Sequence, residues 1–203
     1  MLFSYSSNGQ NSLRNDSVHI IMKYLDTKEK KVKTFMHLVL TLSLFGFAYW
    51  KGDWKNWKKY ILTIHYVIIC NLLYNYFCHD YLLWQHKGEI FPNKHFIIDL
   101  AYTFVNLPAV TLLFLTHYPY FKTKIKQGKY ILYWVIGSIL IEFPFVFFKR
   151  LTFKNGYEHW MDLLFYTVMY VMIRLNFTRP IRSYFFSVII IVFMIWYFKI
   201  PLQ

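Results

Sequence analysis

Residues 95–116 read HFIIDLAYTFVNLPAVTLLFLT, a long run with one charge, Asp99. At a helical rise of about 1.5 Å per residue the run extends about 33 Å, enough to cross a hydrocarbon core about 30 Å thick. Apolar side chains occur all round it, with no two-residue alternation, so it reads as a helix surrounded by apolar material.

Working outward, the same reading applies to about 35–50, 60–78, 129–148, 160–176 and 182–198, which are separated by short basic connections. The fold expected is an all-α integral membrane bundle of about six transmembrane helices. It forms one domain over residues 34–203, preceded by a polar tail over 1–33. Helices satisfy their own backbone N–H and C=O groups, which lipid cannot do. A β-barrel would need alternating segments of about ten residues, and these blocks are continuously apolar. Several blocks are near the short end for a span, which implies little tilt, a thinned bilayer or interfacial anchors. Trp50, Trp54, Trp57, Trp84, Trp160, Trp196 and Tyr197 stand where anchors belong.

The composition agrees. Hydrophobic residues are 57% and charged residues 16% of the chain, outside the ordinary soluble range. The 23% aromatic content has a plain origin: 18 Lys against 5 Arg and only Ala48, Ala101 and Ala109 point to AT-rich codons, added to interfacial use of Trp and Tyr. A net charge of +13 would suggest nucleic acid for a soluble chain. Here the basic residues occupy the connections, so membrane lipids are the expected partners, at about 1 kcal/mol per residue near an anionic surface. No nucleic acid is expected. Cys70 and Cys78 are about 12 Å apart along one helix, too far for a disulfide.

Residues 1–15 are polar and lack the basic start and apolar run of a signal peptide. Val18, Ile21, Met22 and Leu25 then form one helical face suited to a membrane surface. Punctuation falls between blocks: Gly52 as a helix-ending C′ residue, Asp53 as an N-cap, Pro92-Asn93 as a break, Asn155-Gly156 as a turn and Pro180 as a helix start. Pro108 and Pro144 lie inside blocks and should kink them. An even number of spans puts both termini on one side, but basic residues divide 12 to 11 between the sides, so the positive-inside rule does not orient the chain.

Polar residues inside the blocks are unevenly placed. His37 starts the first block; Asn71, Tyr74 and Asn75 end the second. Asp99, Tyr102 and Asn106 run inward from the start of the third. Glu142 lies near the end of the fourth; His159, Asp162 and Tyr166 open the fifth. Successive helices alternate direction, so all fall in one half of the membrane. Spacings of three, four and seven stack them on helix faces. Ionisable residues at such depth usually face a bundle interior or a cavity, so a polar pocket is expected, with Asp99, Glu142 and Asp162 as its acids. For Asp99 and Asp162, complementing a helix dipole is an equal alternative. Glu142 stands near a C-terminus, where the dipole disfavours an anion, and so calls for a polar partner.

Other signals are weaker. His79, Asp80, His86, Glu89 and His95 are metal-ligand types, but their spacing matches no metal signature; neither a metal nor a cofactor is expected. No nucleophile elbow, phosphate loop or His-Glu-x-x-His pattern occurs, so no catalytic residue is assigned. Arg174, Arg179 and Arg182 crowd one connection, where their forks suit phosphate headgroups.

Gly52-Asp53-Trp54 with Trp57, Asn71-Leu72-Leu73-Tyr74-Asn75, Pro92-Asn93, Glu142, and Gly156 leading to Trp160 together resemble an uncharacterised family of small multi-pass membrane proteins common in endospore-forming Firmicutes. The resemblance covers about residues 36–203, with the tail as an extension. It implies a helical membrane fold and a bacterial plasma membrane, and no activity. The function expected is a non-enzymatic membrane component acting through a lipid, a protein partner or a second copy of itself. The alternatives are a carrier or sensor of a proton, cation or small solute using the Glu142 pocket, and a membrane-embedded enzyme on a lipid-like substrate.

Overall fold

The computed structural model describes Lys23, residues 36–86 and residues 95–201. The rest of the N-terminal tail with its expected surface helix, Pro92-Asn93 and Glu89 lie outside the described residues.

Among the described residues, six helical rods follow the six apolar blocks. They are α1 (residues 36–51), α2 (Ile61–Phe77), α3 (His95–Ala101) continuing into α4 (Leu107–Thr116), α5 (Lys124–Phe147), α6 (Asp162–Thr178) and α7 (Pro180–Phe198). Ile98–Thr116, α5 and α7 are long and apolar enough to cross a membrane. α5 starts earlier than its apolar block because the helix extends back through Lys124, Lys126 and Lys129 after an extended Thr123.

The prolines act differently from one another. Pro108 has no N–H for the carbonyl of Phe104, four residues back. The rod absorbs this as a π turn over Tyr102–Asn106, closed by the Leu107 N–H on the Tyr102 carbonyl. α5 runs unbroken through Pro144 and ends within a turn of it. Pro180 opens α7 as expected.

Gly52 does not take the left-handed conformation expected of a C′ glycine. Its role is steric: a Cβ there would stand 2.4 Å from the Ala48 carbonyl and 2.8 Å from Leu112 Cδ2. Asp53 precedes the 3₁₀ helix Trp54–Lys59 without capping it by its side chain. Its carboxylate instead accepts from Asn56 Nδ2 and Tyr60 Oη, each at 3.1 Å, and the Asn56 amide holds the Asp53 carboxyl below its ordinary range. The Asp53 N–H donates to Thr116 Oγ1 at 3.2 Å, which ties this connection to the end of α4.

A short ribbon supplements the helices. β1 (Trp84–His86) pairs antiparallel with β2 (Leu151–Phe153), Trp84 opposite Phe153 and His86 opposite Leu151. Three residues are too few to show alternation, so the sequence pattern carries no sign of these strands.

α5 packs on α6, α6 on α7, and α2 on α4 and α6. The core between α2, α4, α5 and α6 is built on Tyr66, Val67, Leu112, Phe114, Leu115, Val135, Tyr170 and Ile173. A smaller cluster of Ala48, Ala109 and Leu113 seats α1 on α4. The outer faces are apolar as well: α7 fully buries only Ser183 and turns Phe185, Val188, Ile189, Val192, Phe193 and Trp196 outward.

Candidate functional site

The approach to α6 builds the centre of the site. Asn155 and Gly156 both have positive φ, 54° and 81°, and the Tyr157 N–H closes the turn on the Lys154 carbonyl at 3.0 Å. This is the geometry that Asn-Gly favours. The turn carries Tyr157 inward, and the 3₁₀ turn His159–Met161 then delivers Asp162 to the start of α6. The Tyr157 hydroxyl donates to Asp162 Oδ1 at 2.8 Å, and His159 Nδ1 lies 3.0 Å from Asp162 Oδ2. Burial, reinforced by Asp162, raises the Tyr157 hydroxyl above its ordinary range and keeps it a neutral donor. Asp162 is 5% exposed, so its surroundings are more specific than a helix dipole requires.

One turn into α6, the Tyr166 hydroxyl donates to Glu142 Oε2. Glu142, on α5, is 9% exposed and its Oε1 has no hydrogen-bond partner. One ligand atom from each of Glu142, His159 and Asp162 lies within 4.8 Å of the other two. Ser138, a turn before Glu142, pairs with the Tyr170 hydroxyl at 2.7 Å and locks α5 to α6 at this level.

A second group faces the first. The Tyr102 hydroxyl pairs with His37 Nδ1 at 3.0 Å. His86 stacks on Tyr102 with ring centroids 4.5 Å apart, and His37 also packs on Phe145. Asn71 Nδ2 donates to Thr103 Oγ1 at 2.7 Å, and that hydroxyl donates to the Asp99 carbonyl at 2.6 Å. The π turn faces Asn106 inward: it is 4% exposed, and neither side-chain polar atom has a hydrogen-bond partner.

Between the groups lies a cavity of about 670 Å³. Asn71, Asn75, Asp99, Tyr102, Asn106, Glu142, Asp162 and Tyr166 all line it, and His159, outside the lining, pairs with Asp162. The remaining wall is largely apolar, with Leu40, Val67, Met169, Ile190 and Met194 among its residues. The ribbon covers the polar end. Trp84 stacks on Tyr74 at 4.0 Å with planes 3° apart, and the Tyr74 hydroxyl accepts the N–H groups of Leu83 and Trp84.

Of the His/Asp/Glu cluster in the second connection, the side chains of His79, Asp80 and His86 are described. His79 and Asp80 pair with each other in an exposed turn, while His86 faces His37. Glu89 and the side chain of His95 lie outside the described residues. Arg174 lies over the rings of Tyr118 and Tyr120, 4.8 Å from each centroid, while Arg179 and Arg182 are exposed near it.

Sequence reasoning missed Tyr157 and the covering role of Trp84. Neither sits at a helical interval from the other site residues, so periodicity gives no signal; the Asn-Gly dipeptide was the one local clue to Tyr157. No protein-family model matches the chain, no curated protein matches its sequence and no solved structure matches it.

Proposed function

We propose that this chain is a multi-pass protein of a bacterial plasma membrane, with six spans, that works by binding an amphiphile, a lipid or lipid-like molecule, in its internal cavity. Its headgroup meets Glu142, Asp162 and Tyr166, and its apolar part lies along α2, α6 and α7. The observation that carries this reading is the two-sided chemistry of the cavity. Its volume is that of a ligand pocket, and its largely apolar wall also carries Asp99, Tyr102, Glu142, Asp162 and Tyr166.

The outer surface supports the membrane part. A soluble monomer rarely exposes a contiguous apolar patch beyond a few hundred Å², and α7 presents large apolar side chains along its outward face. α2 and α6, of 17 residues each, would rise about 26 Å, which suits a locally thinned bilayer.

Native mass spectrometry of the gently extracted chain, wild type beside Glu142→Gln, tests the reading. The wild type should carry a discrete amphiphile, and the variant should retain less than about a tenth of it, the loss of roughly 1.4 kcal/mol or more of headgroup binding. An empty wild type would sink the pocket reading and favour a partner subunit. The adjacent acids Glu142 and Asp162 support a second reading, a carrier or sensor of a cation or small solute; there the bound species would be small and polar.

A further inference from the structure

Two carboxylates side by side inside a bundle are costly unless charge or protons compensate them. Among the described residues no lysine or arginine pairs with Glu142 or Asp162; His159 alone does so with Asp162. The hydrogen bonds around the two acids are complementary. Tyr166 holds one oxygen of Glu142, and Tyr157 holds one oxygen of Asp162. Of the remaining oxygens, Glu142 Oε1 is buried without a hydrogen-bond partner, whereas Asp162 Oδ2 pairs with His159 Nδ1 at 3.0 Å, a contact that a shared ion would replace.

We propose that Glu142, His159 and Asp162 bind a divalent first-row transition cation, of the zinc or manganese class, at the polar end of the cavity. The site adjoins the amphiphile pocket proposed above but needs no amphiphile to form. Neighbouring ligands about 2.1 Å from a common metal stand roughly 3.0–3.4 Å apart, and His159 Nδ1 and Asp162 Oδ2 are already 3.0 Å apart. The widest separation in the set, within 4.8 Å, would have to close by up to roughly 1.4–1.8 Å to reach that spacing. One imidazole and two carboxylates suit zinc, manganese or iron(II) better than the soft copper(I). Two negative charges on a doubly charged ion give a neutral assembly, the arrangement least penalised in a low-dielectric interior. The Tyr157 and Tyr166 hydroxyls serve as the outer shell that orients each carboxylate. Three protein ligands leave coordination positions open toward the cavity, where water or a headgroup oxygen can enter.

The test is metal binding by the full chain in mild detergent, stripped with EDTA and then equilibrated separately with zinc or manganese. Bound metal is counted by elemental analysis, and cobalt(II) absorption serves as the spectroscopic probe. The expectation is one ion per chain, bound by wild type and by His79→Gln, an exposed histidine outside the set. His159→Gln and Glu142→Gln should reduce affinity more than about tenfold, and Tyr157→Phe by roughly 10–100-fold. His159 is 36% exposed, so its variant keeps the test decisive if Glu142→Gln misfolds by circular dichroism. Wild type holding less than about a tenth of an ion, or His159→Gln and Tyr157→Phe both binding as wild type does, would overturn the proposal. The amphiphile is weighed by mass in the same samples. Metal without amphiphile removes only the pocket reading, and amphiphile without metal removes only this one.

Discussion

His86 meets His37 edge-on at 5.7 Å and stacks on Tyr102. Burial, with His37 beside it, lowers its pKa from 6.5 to about 3. The folded chain therefore holds His86 neutral, whereas the unfolded chain binds a proton below about pH 6.5. Stability is whole above that pH and declines as pH falls toward 3, at most by about 1.4 kcal/mol per unit. Thermal unfolding in detergent between about pH 4 and 7.5 should show this decline, and His86→Phe should reduce its slope; an equal slope in both proteins would place the titration elsewhere. At the same scale Gly52 shows what a sequence conceals. Helix-ending glycine was the natural reading, yet the residue is required by the close approach of Ala48 and Leu112. Glu142, by contrast, was legible, because an anion near a helix C-terminus has no local explanation and needs a partner from another element.

The ribbon adds Trp84, His86, Leu151 and Phe153 to the wall of the cavity and sets Trp84 against Tyr157. Its two strands come from connections far apart in sequence, joined by the Lys154 N–H on the Leu83 carbonyl and Asn155 Nδ2 on the Leu82 carbonyl. Gly156 sits at φ 81°, where a β-branched side chain is strained by about 1–2 kcal/mol. Gly156→Val should loosen the turn, displace Tyr157 from Asp162, and raise amide hydrogen exchange in residues 82–86 and 151–157 while α2 and α4 stay protected. Unchanged exchange in those segments would mean that the turn does not hold the cover. Between the rods, polar pairs set the register: Tyr66 with Ser187 at 2.6 Å, Ser138 with Tyr170, and Tyr130 on the Phe114 carbonyl. In lipid such bonds average about 0.6 kcal/mol each, which gives the many tyrosines inside the bundle a use beyond codon bias.

For the whole molecule, the six-span arrangement proposed above requires both ends of the chain on one side of the membrane. Reporter fusions at the N-terminus and at Gln203 should report the same compartment; opposite compartments would refute an even number of crossings. Ile189 lies midway along the outward face of α7 and is 50% exposed. Ile189→Arg should disfavour insertion of α7 by about 2.5–3.5 kcal/mol, read as a lower inserted fraction in a translocation assay, whereas on a soluble protein it would improve solubility.

Much of this molecule was written in local pattern. Apolar blocks fixed where the rods run to within a few residues, because a helix meets its backbone hydrogen bonds within its own segment and needs no partner to do so. The alternation of direction between rods put His37, Asn71, Asp99, Glu142 and Asp162 at one end before any contact was known. Tertiary structure alone decided which of these touch. Glu142 and Asp162 are twenty residues apart on different rods, and their approach depends on how α5 and α6 rotate about their axes. That rotation is set by side-chain packing such as Ser138 against Tyr170, which no periodicity encodes. The ribbon and the inward turn of Tyr157 likewise depend on two distant connections meeting, a non-local pairing for which a three-residue strand leaves no sequence mark.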